Sequence, residues 1–280
     1  MEELFPAEPL VAVPVVEAAA EGSPLRLGRV GERLVYARLP NRGAGAELFA
    51  APDAVLHEGR VRVLPGSETR GVVVAGCDPS LGLMADLLPS RGQRVVPVHA
   101  TTAAARRALA AGRCHAALVH GRPRDLRDPE IPVRRYALAR WRVGIAHASA
   151  RALSLGEVAG GSLVFARRDP GAAVQGALMR ALRDEVPSVH LSGPIAASHL
   201  DAARRVSLGA VDGAVTIEPC ARAYELAFEP LEAHRVQLWV AEEFARDAGV
   251  EALGELLASG AFRSRLQGLD GYELASPGVY

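Results

Sequence analysis

Short apolar runs, each closed by a polar turn and followed by a helical pattern, dominate residues 71–121. Val72–Ala75 reads as a buried parallel strand, apolar at every position. Gly76, Cys77, Asp78 and Pro79 break it, and Ser80 opens a helical pattern through Leu81, Met84, Ala85 and Leu88. Arg94–Val98 is a second strand. Thr101 and Thr102 begin a helix over Ala103–Ala111 that Gly112 ends, and His115–Val119 is a third strand. A sheet wound this way places its ligand at the carboxyl ends of its strands, against helix N-termini. Cys77, Asp78, Ser80, His99, Thr101, Thr102 and His120 are therefore expected on one cleft wall, which suggests a small-ligand receptor more than a self-contained catalyst.

Residues 24–65 have a different rhythm. Leu25–Val30, Leu34–Leu39, Ala54–Glu58 and Val61–Leu64 are extended segments separated by Gly31-Glu32, by Pro40–Gly45 and by Glu58-Gly59. That spacing predicts a small antiparallel β-domain or barrel within residues 1–66, linked through Gly66–Thr69 to the α/β part of the chain.

Beyond His120 comes a charged, proline-rich loop, and then Val133–Ala139 and Arg142–His147 read as extended crossings into a second lobe. A helix start at Ser154–Val158, a strand at Ser162–Ala166, a helix at Ala172–Arg183 and a short strand at Val189–Leu191 come after them. Next are a helix from Ser198 to Ser207, a strand at Gly213–Ile217 and a helix at Ala221–Leu226. Phe228–Leu231 and Val236–Val240 lead back, and helices at Glu242–Ala248 and Val250–Leu257 precede a tail. The second lobe thus repeats the element order of the first, and two such lobes joined by two extended crossings make an α/β clamshell.

Composition narrows the class. The chain has 280 residues with 32 basic and 32 acidic side chains, and every basic one is arginine. That neutrality gives no support for broad nucleic-acid binding. Three scattered cysteines, Cys77, Cys114 and Cys220, do not make a disulfide scaffold. No apolar run approaches ~20 residues, so no membrane span is expected. The acidic N-terminus lacks a secretory pattern, and a cytoplasmic protein is the expectation.

The ordered series Gly76–Leu83, Ala108–Gly112, Ala116–His120, Ser198–Ala203, Gly209–Ala214, Phe228–Leu231 and Gly271–Gly278 resembles the type II periplasmic-binding-protein-like, molybdate-type domain of cytoplasmic bacterial proteins. The resemblance spans residues 71–280. It implies a two-lobed clamshell, with lobe 1 at about 71–140 and 237–280 and lobe 2 at about 141–236. It also implies sensing or handling of molybdate, tungstate or a molybdenum-cofactor-related compound by cleft closure. The family's Gly-Ser-Gly-Thr-Arg-like anion turn is replaced here by Asp169–Val174. More faintly, Leu27–Val30, Leu39–Gly45 and Glu58–Leu64 resemble the C-terminal β-domain of molybdopterin molybdenumtransferases, a pairing that implies a molybdenum-cofactor biosynthesis partner or a homodimer. No cofactor is required beyond a bound oxyanion.

The candidate ligand-binding set is Cys77, Asp78, Ser80, Thr101, Thr102, His120, Asp169, Ala172, Ser198, His199 and Glu218. Free N–H groups at helix starts and uncharged hydroxyls suit a tetrahedral oxyanion, whereas taken singly Ser80, Thr101, Thr102 and Ser198 read as plain N-caps. Cys77, His99 and His120 have the chemistry of zinc or copper ligands, but no close-spaced pair supports a metal, and none is assigned. Cys77 reads as a buried inert thiol, Arg167 and Arg168 as solvated strand ends, and Tyr136, Trp141 and Trp239 as packing residues. Two rival readings remain: lyase-type chemistry on the same fold, with Asp169, His199 and Glu218 as acid–base groups, and a degenerate scaffold that binds no ligand.

Overall fold

The computed structural model describes residues 9–39, 51–127, 129–148 and 152–276. The expected Pro40–Gly45 turn and the end of the Gly271–Gly278 match lie outside them. Five strands open the chain: β1 (Val13–Pro14), β2 (Pro24–Val30), β3 (Arg33–Arg38), β4 (Ala54–His57) and β5 (Arg60–Val63), ordered β1-β3-β2-β4-β5. A bridge between Leu10 and Val61 brings the two edges together, so the sheet curls toward closure. The two-residue period of β2 and β3 divides their side chains between two cores. Leu25, Leu27 and Tyr36 fill the curl with Leu56 and Val61. Val30, Val35 and Ala37 face outward and pack against Val73, Ala75, Val96 and Val98 of the next sheet. Gly28 sits at that contact, where a Cβ would lie 2.4 Å from Val73 Cγ2.

The first lobe consists of β6 (Val72–Gly76), α1 (Ser80–Leu87), β7 (Val95–His99), α2 (Thr102–Ala110) and β8 (Ala116–Gly121). Strands β7, β6 and β8 are adjacent and parallel. The chain then crosses on β9 (Val133–His147) into α3 (Leu155–Ala159), β10 (Gly160–Ala166), α4 (Ala173–Glu185), β11 (His190–Ser192), α5 (His199–Ser207), β12 (Gly213–Ile217) and α6 (Glu218–Ala223). Here β11, β10 and β12 form the second parallel set. It returns on β13 (Ala227–Ala241) to α7 (Ala248–Ala258), α8 (Gly260–Gln267) and β14 (Glu273–Leu274).

Each crossing is one continuous strand rather than two short ones. β9 and β13 pair antiparallel along their whole length, which keeps their backbone groups satisfied between the lobes. The register shifts between Pro230 and Glu232 and between Val236 and Gln237, which lets the sheet bend where the lobes meet. One end of the pair joins β8 and the other joins β12, so a single strand order, β11-β10-β12-β9-β13-β8-β6-β7, runs through both lobes.

Three further stretches differ from expectation. Helix α6 starts at Glu218, because Pro219 fits the first helical turn and starts the helix straight off β12. Residues Glu242–Phe244 form a single 3-10 turn, and the helix begins only at Ala248. The expected tail is α8 and β14; Phe262 and Leu266 of α8 are buried in the main core, and β14 pairs with β9.

Candidate functional site

The carboxyl ends of both parallel sets converge on the crossing strands, and most of the buried polar side chains collect there. From lobe 1, β6 ends at Gly76, which has no room for a side chain: a Cβ would come within 2.6 Å of Leu118 O. That closeness sets Cys77 opposite the end of β8, with its Sγ 3.2 Å from His120 Nε2. Asp78 is buried and accepts three hydrogen bonds. Oδ1 receives the Ser80 N–H at 2.8 Å and the Tyr272 hydroxyl at 2.9 Å, and Oδ2 receives Trp141 Nε1–H at 2.8 Å. The Ser80 hydroxyl, also buried, has no partner among the described residues.

A histidine chain runs down from the crossing strands. His120 Nδ1 lies 3.1 Å from His234 Nδ1, and His234 Nε2 lies 2.5 Å from Glu232, which also pairs with Arg180. Burial alone would raise the Glu232 pKa, but the bonds from His234 and Arg180 outweigh it and hold the carboxyl below its usual range. An ionised Glu232 can only accept, so His234 directs an N–H at it from Nε2. The neutral His120 ring carries a single proton; held on Nδ1, toward His234, that proton leaves the Nε2 lone pair facing Cys77. Thr102 anchors this histidine's backbone, its hydroxyl accepting the His120 N–H and donating to the His120 carbonyl. The Trp141 ring lies against His120, tilted by 54° with the centroids 4.7 Å apart.

Lobe 2 contributes Arg168 and His199. Arg168, two residues past β10, is only 3% exposed. Its Nε donates to Ala196 O (2.9 Å), Nη2 to Ala197 O (3.2 Å) and Nη1 to His199 Nδ1 (3.1 Å). A guanidinium has five N–H groups and accepts nothing, so two donors remain beyond these three bonds. Among the described residues no carboxylate lies within ion-pair distance of it. Because Arg168 donates to Nδ1, the neutral His199 ring carries its proton on Nε2, and that atom is buried without a partner among the described residues. His99 closes the seam from lobe 1, its Nε2 lying 3.0 Å from Ala197 O.

Burial governs titration here. It pushes the Cys77 thiol up to about 12 against the opposing pull of Arg168. His120 and His199 fall well below the ordinary imidazole value, first through burial and then through neighbouring positive charge. Both rings are neutral at physiological pH.

Of the expected residues, Cys77, Asp78, Ser80, His120 and His199 meet at this seam, and Thr102 supports it from behind. The others have local roles. Thr101 caps α2 by accepting from Ala104 N, and Ser198 caps α5 by accepting from Asp201 N. Ala172 stands at the N-cap of α4 without a side-chain bond. Asp169 is exposed and accepts from Gly171 N within its own turn. Glu218 is held by Arg142 at 2.6 and 2.7 Å and by Arg222 at 3.3 Å. No hydrogen bond joins any two of Asp169, His199 and Glu218 among the described residues. Arg168 is not solvated and Trp141 is not mere packing. Sequence reasoning also passed over His234 and Tyr272. A buried arginine gives no local pattern, and these partners are distant in sequence.

This architecture, two wound lobes sharing two crossing strands with polar groups collected between them, is that of a ligand-binding clamshell. Residues 85–258, more than half of the chain, match the family model described as "PBP superfamily domain", and the chain belongs to that periplasmic-binding-protein-like family. Among solved structures it is similar to a putative phosphate ABC transporter substrate-binding protein with bound phosphate from Clostridium perfringens (TM-score 0.55, 9% identity, 74% of this chain and 100% of that one). It is also similar to an ABC-type phosphate transport receptor from Vibrio cholerae (TM-score 0.51, 11% identity, 73% and 100%). A reduced form of OxyR from N. meningitidis gives TM-score 0.50 at 15% identity, over 74% and 99%. At such identities the likeness is one of fold. No curated protein matches the chain. Among the described residues no helix is long and apolar enough to cross a membrane.

Proposed function

We propose that this protein is a cytoplasmic receptor for a small oxyanion of the molybdate or tungstate kind, or a molybdenum-cofactor-related compound, which it senses by closing its lobes. The observation that carries this reading is Arg168: a buried guanidinium with two donors left over and, among the described residues, no carboxylate within ion-pair distance. A buried charge without an opposite charge is costly, and an anion at the seam would relieve that cost. The unpartnered His199 Nε2–H and Ser80 hydroxyl offer further donors, at the first turns of α5 and α1. Arg168 and His199 would supply what the altered Asp169–Val174 turn lacks. Asp78 already accepts three bonds, which leaves little for a protonated anion to donate to. That favours a fully ionised tetrahedral anion such as molybdate over hydrogen phosphate.

The test is a thermal-shift titration with molybdate, tungstate, sulfate and phosphate, phosphate being the anion named for two of the similar structures. An anion at a hundred times its dissociation constant adds ~2.7 kcal/mol of apparent stability. The expected result is a selective rise in Tm with molybdate or tungstate that Arg168→Gln abolishes. No rise with any of the four anions would sink the reading.

A further inference from the structure

We infer that Cys77, His120 and His199 form a zinc-binding site that clasps the two lobes together. Sγ of Cys77 and one ring nitrogen from each histidine lie within 4.8 Å of one another, and all three residues are buried. Around a tetrahedral zinc, with bonds of ~2.3 Å to sulfur and ~2.0–2.1 Å to nitrogen, donor atoms stand roughly 3.3–3.6 Å apart. The 3.2 Å between Cys77 Sγ and His120 Nε2 needs to open only slightly to admit the ion. Thiolate and imidazole are the donor set zinc prefers, and magnesium or calcium would be poorly served without oxygen ligands.

The surroundings fit the same role. Metal-bound histidines characteristically donate their second N–H to a supporting acceptor, and the outermost support is often a carboxylate. His120 Nδ1 faces His234, which in turn reaches Glu232, and Nε2 is the ring atom aimed at Cys77. His199 Nδ1 is occupied by Arg168, so the atom left for a metal is its buried, unpartnered Nε2.

Arg168 raises the obvious objection, since a guanidinium repels a cation. The charges nevertheless balance. Zinc displaces the Cys77 thiol proton and the His199 Nε2 proton, giving a thiolate and an imidazolate whose Nδ1 still accepts from Arg168. Two negative ligands offset the two positive charges of zinc, and two protons are released to solvent. Cys77 and His120 come from lobe 1 and His199 from lobe 2, so the complete site exists only with the lobes together. The fourth zinc position stays open beside Arg168.

This inference goes beyond the oxyanion reading, and the two fail separately, because the anion titration is run on metal-free protein. The experiment titrates cobalt(II), a spectroscopic stand-in for zinc, into the full metal-free chain. The expected result is one equivalent bound, with an intense near-ultraviolet thiolate-to-cobalt band that one equivalent of zinc removes. Calorimetry in buffers of different ionisation enthalpy should show two protons released per zinc. Cys77→Ser should abolish the band, and Glu232→Gln, outside the ligand triangle, should weaken binding about 10- to 100-fold. Folded wild-type protein without the thiolate band would overturn the inference. Undiminished zinc affinity in Cys77→Ser would overturn it equally.

Discussion

Asp78 joins three parts of the chain through one side chain. Its carboxylate receives the first turn of α1, the indole of a crossing strand and the hydroxyl of Tyr272 near the C-terminus. Removing a shared acceptor strands every donor aimed at it, and each unsatisfied buried donor costs about 1–3 kcal/mol. Asp78→Ala is therefore expected to lose about 3–5 kcal/mol in urea unfolding, and Asp78→Asn, which keeps one acceptor oxygen, clearly less. Equal losses in the two variants would show that packing, rather than accepted bonds, explains the residue. At this scale the sequence was legible only in part. Asp78 and Ser80 stood out because they come after a strand and open a helix. The residues that complete the network did not, because nothing local marks Trp141 or Tyr272 as donors to position 78. Arg168 illustrates the same limit: an arginine pair after a strand reads as solvated until the 193–197 loop and α5 are folded over it.

Between elements, β2 comes very close to β6. Gly28 is the position where the N-terminal sheet lies on lobe 1, and a side chain there meets Val73 directly. Gly28→Val is expected to separate the two sheets at a cost of about 1–3 kcal/mol, the usual range for overpacking, and to speed proteolysis between β5 and β6. Gly59→Ala is a fit comparison, since a Cβ there has nothing within 4 Å and only its left-handed φ of 70° is strained. If both variants lose the same small amount and neither is cleaved faster, the sheet is not held at Gly28. The individual strands of the N-terminal sheet were readable from apolar runs and glycine turns. Their outward faces were not. Alternation says that Val35 and Ala37 share a face, but not that this face meets Val73 and Val96.

Across the whole molecule, several buried imidazoles are held neutral, and this gives stability a definite pH dependence. Burial lowers His115 to about 4, and His99, His120 and His199 shift in the same direction. Their unfolded values are near ~6.5. Between pH 6.5 and 4 the unfolded chain therefore binds protons that the folded chain excludes, so stability falls as pH falls through that window and is intact above it. His115 alone contributes a loss of about 2 kcal/mol by pH 5. Urea midpoints measured at pH 7.5 and pH 5 should differ accordingly, and a flat profile would refute neutral burial of these rings.

The sequence by itself determined the class of fold and nearly all of its elements, because strand burial, helix caps and glycine turns are written in neighbouring residues. It also marked one wall of the seam, since a parallel sheet always delivers its strand ends to the same edge. Only the tertiary structure decided which polar groups meet there. Cys77 finds His120 from β8, His120 finds His234 on the returning strand, and Arg168 and His199 arrive from the other lobe. Those meetings depend on how β9 and β13 pair and bend, and on side chains up to 194 residues apart sharing a single carboxylate. Local pattern carries no information about contacts of that range.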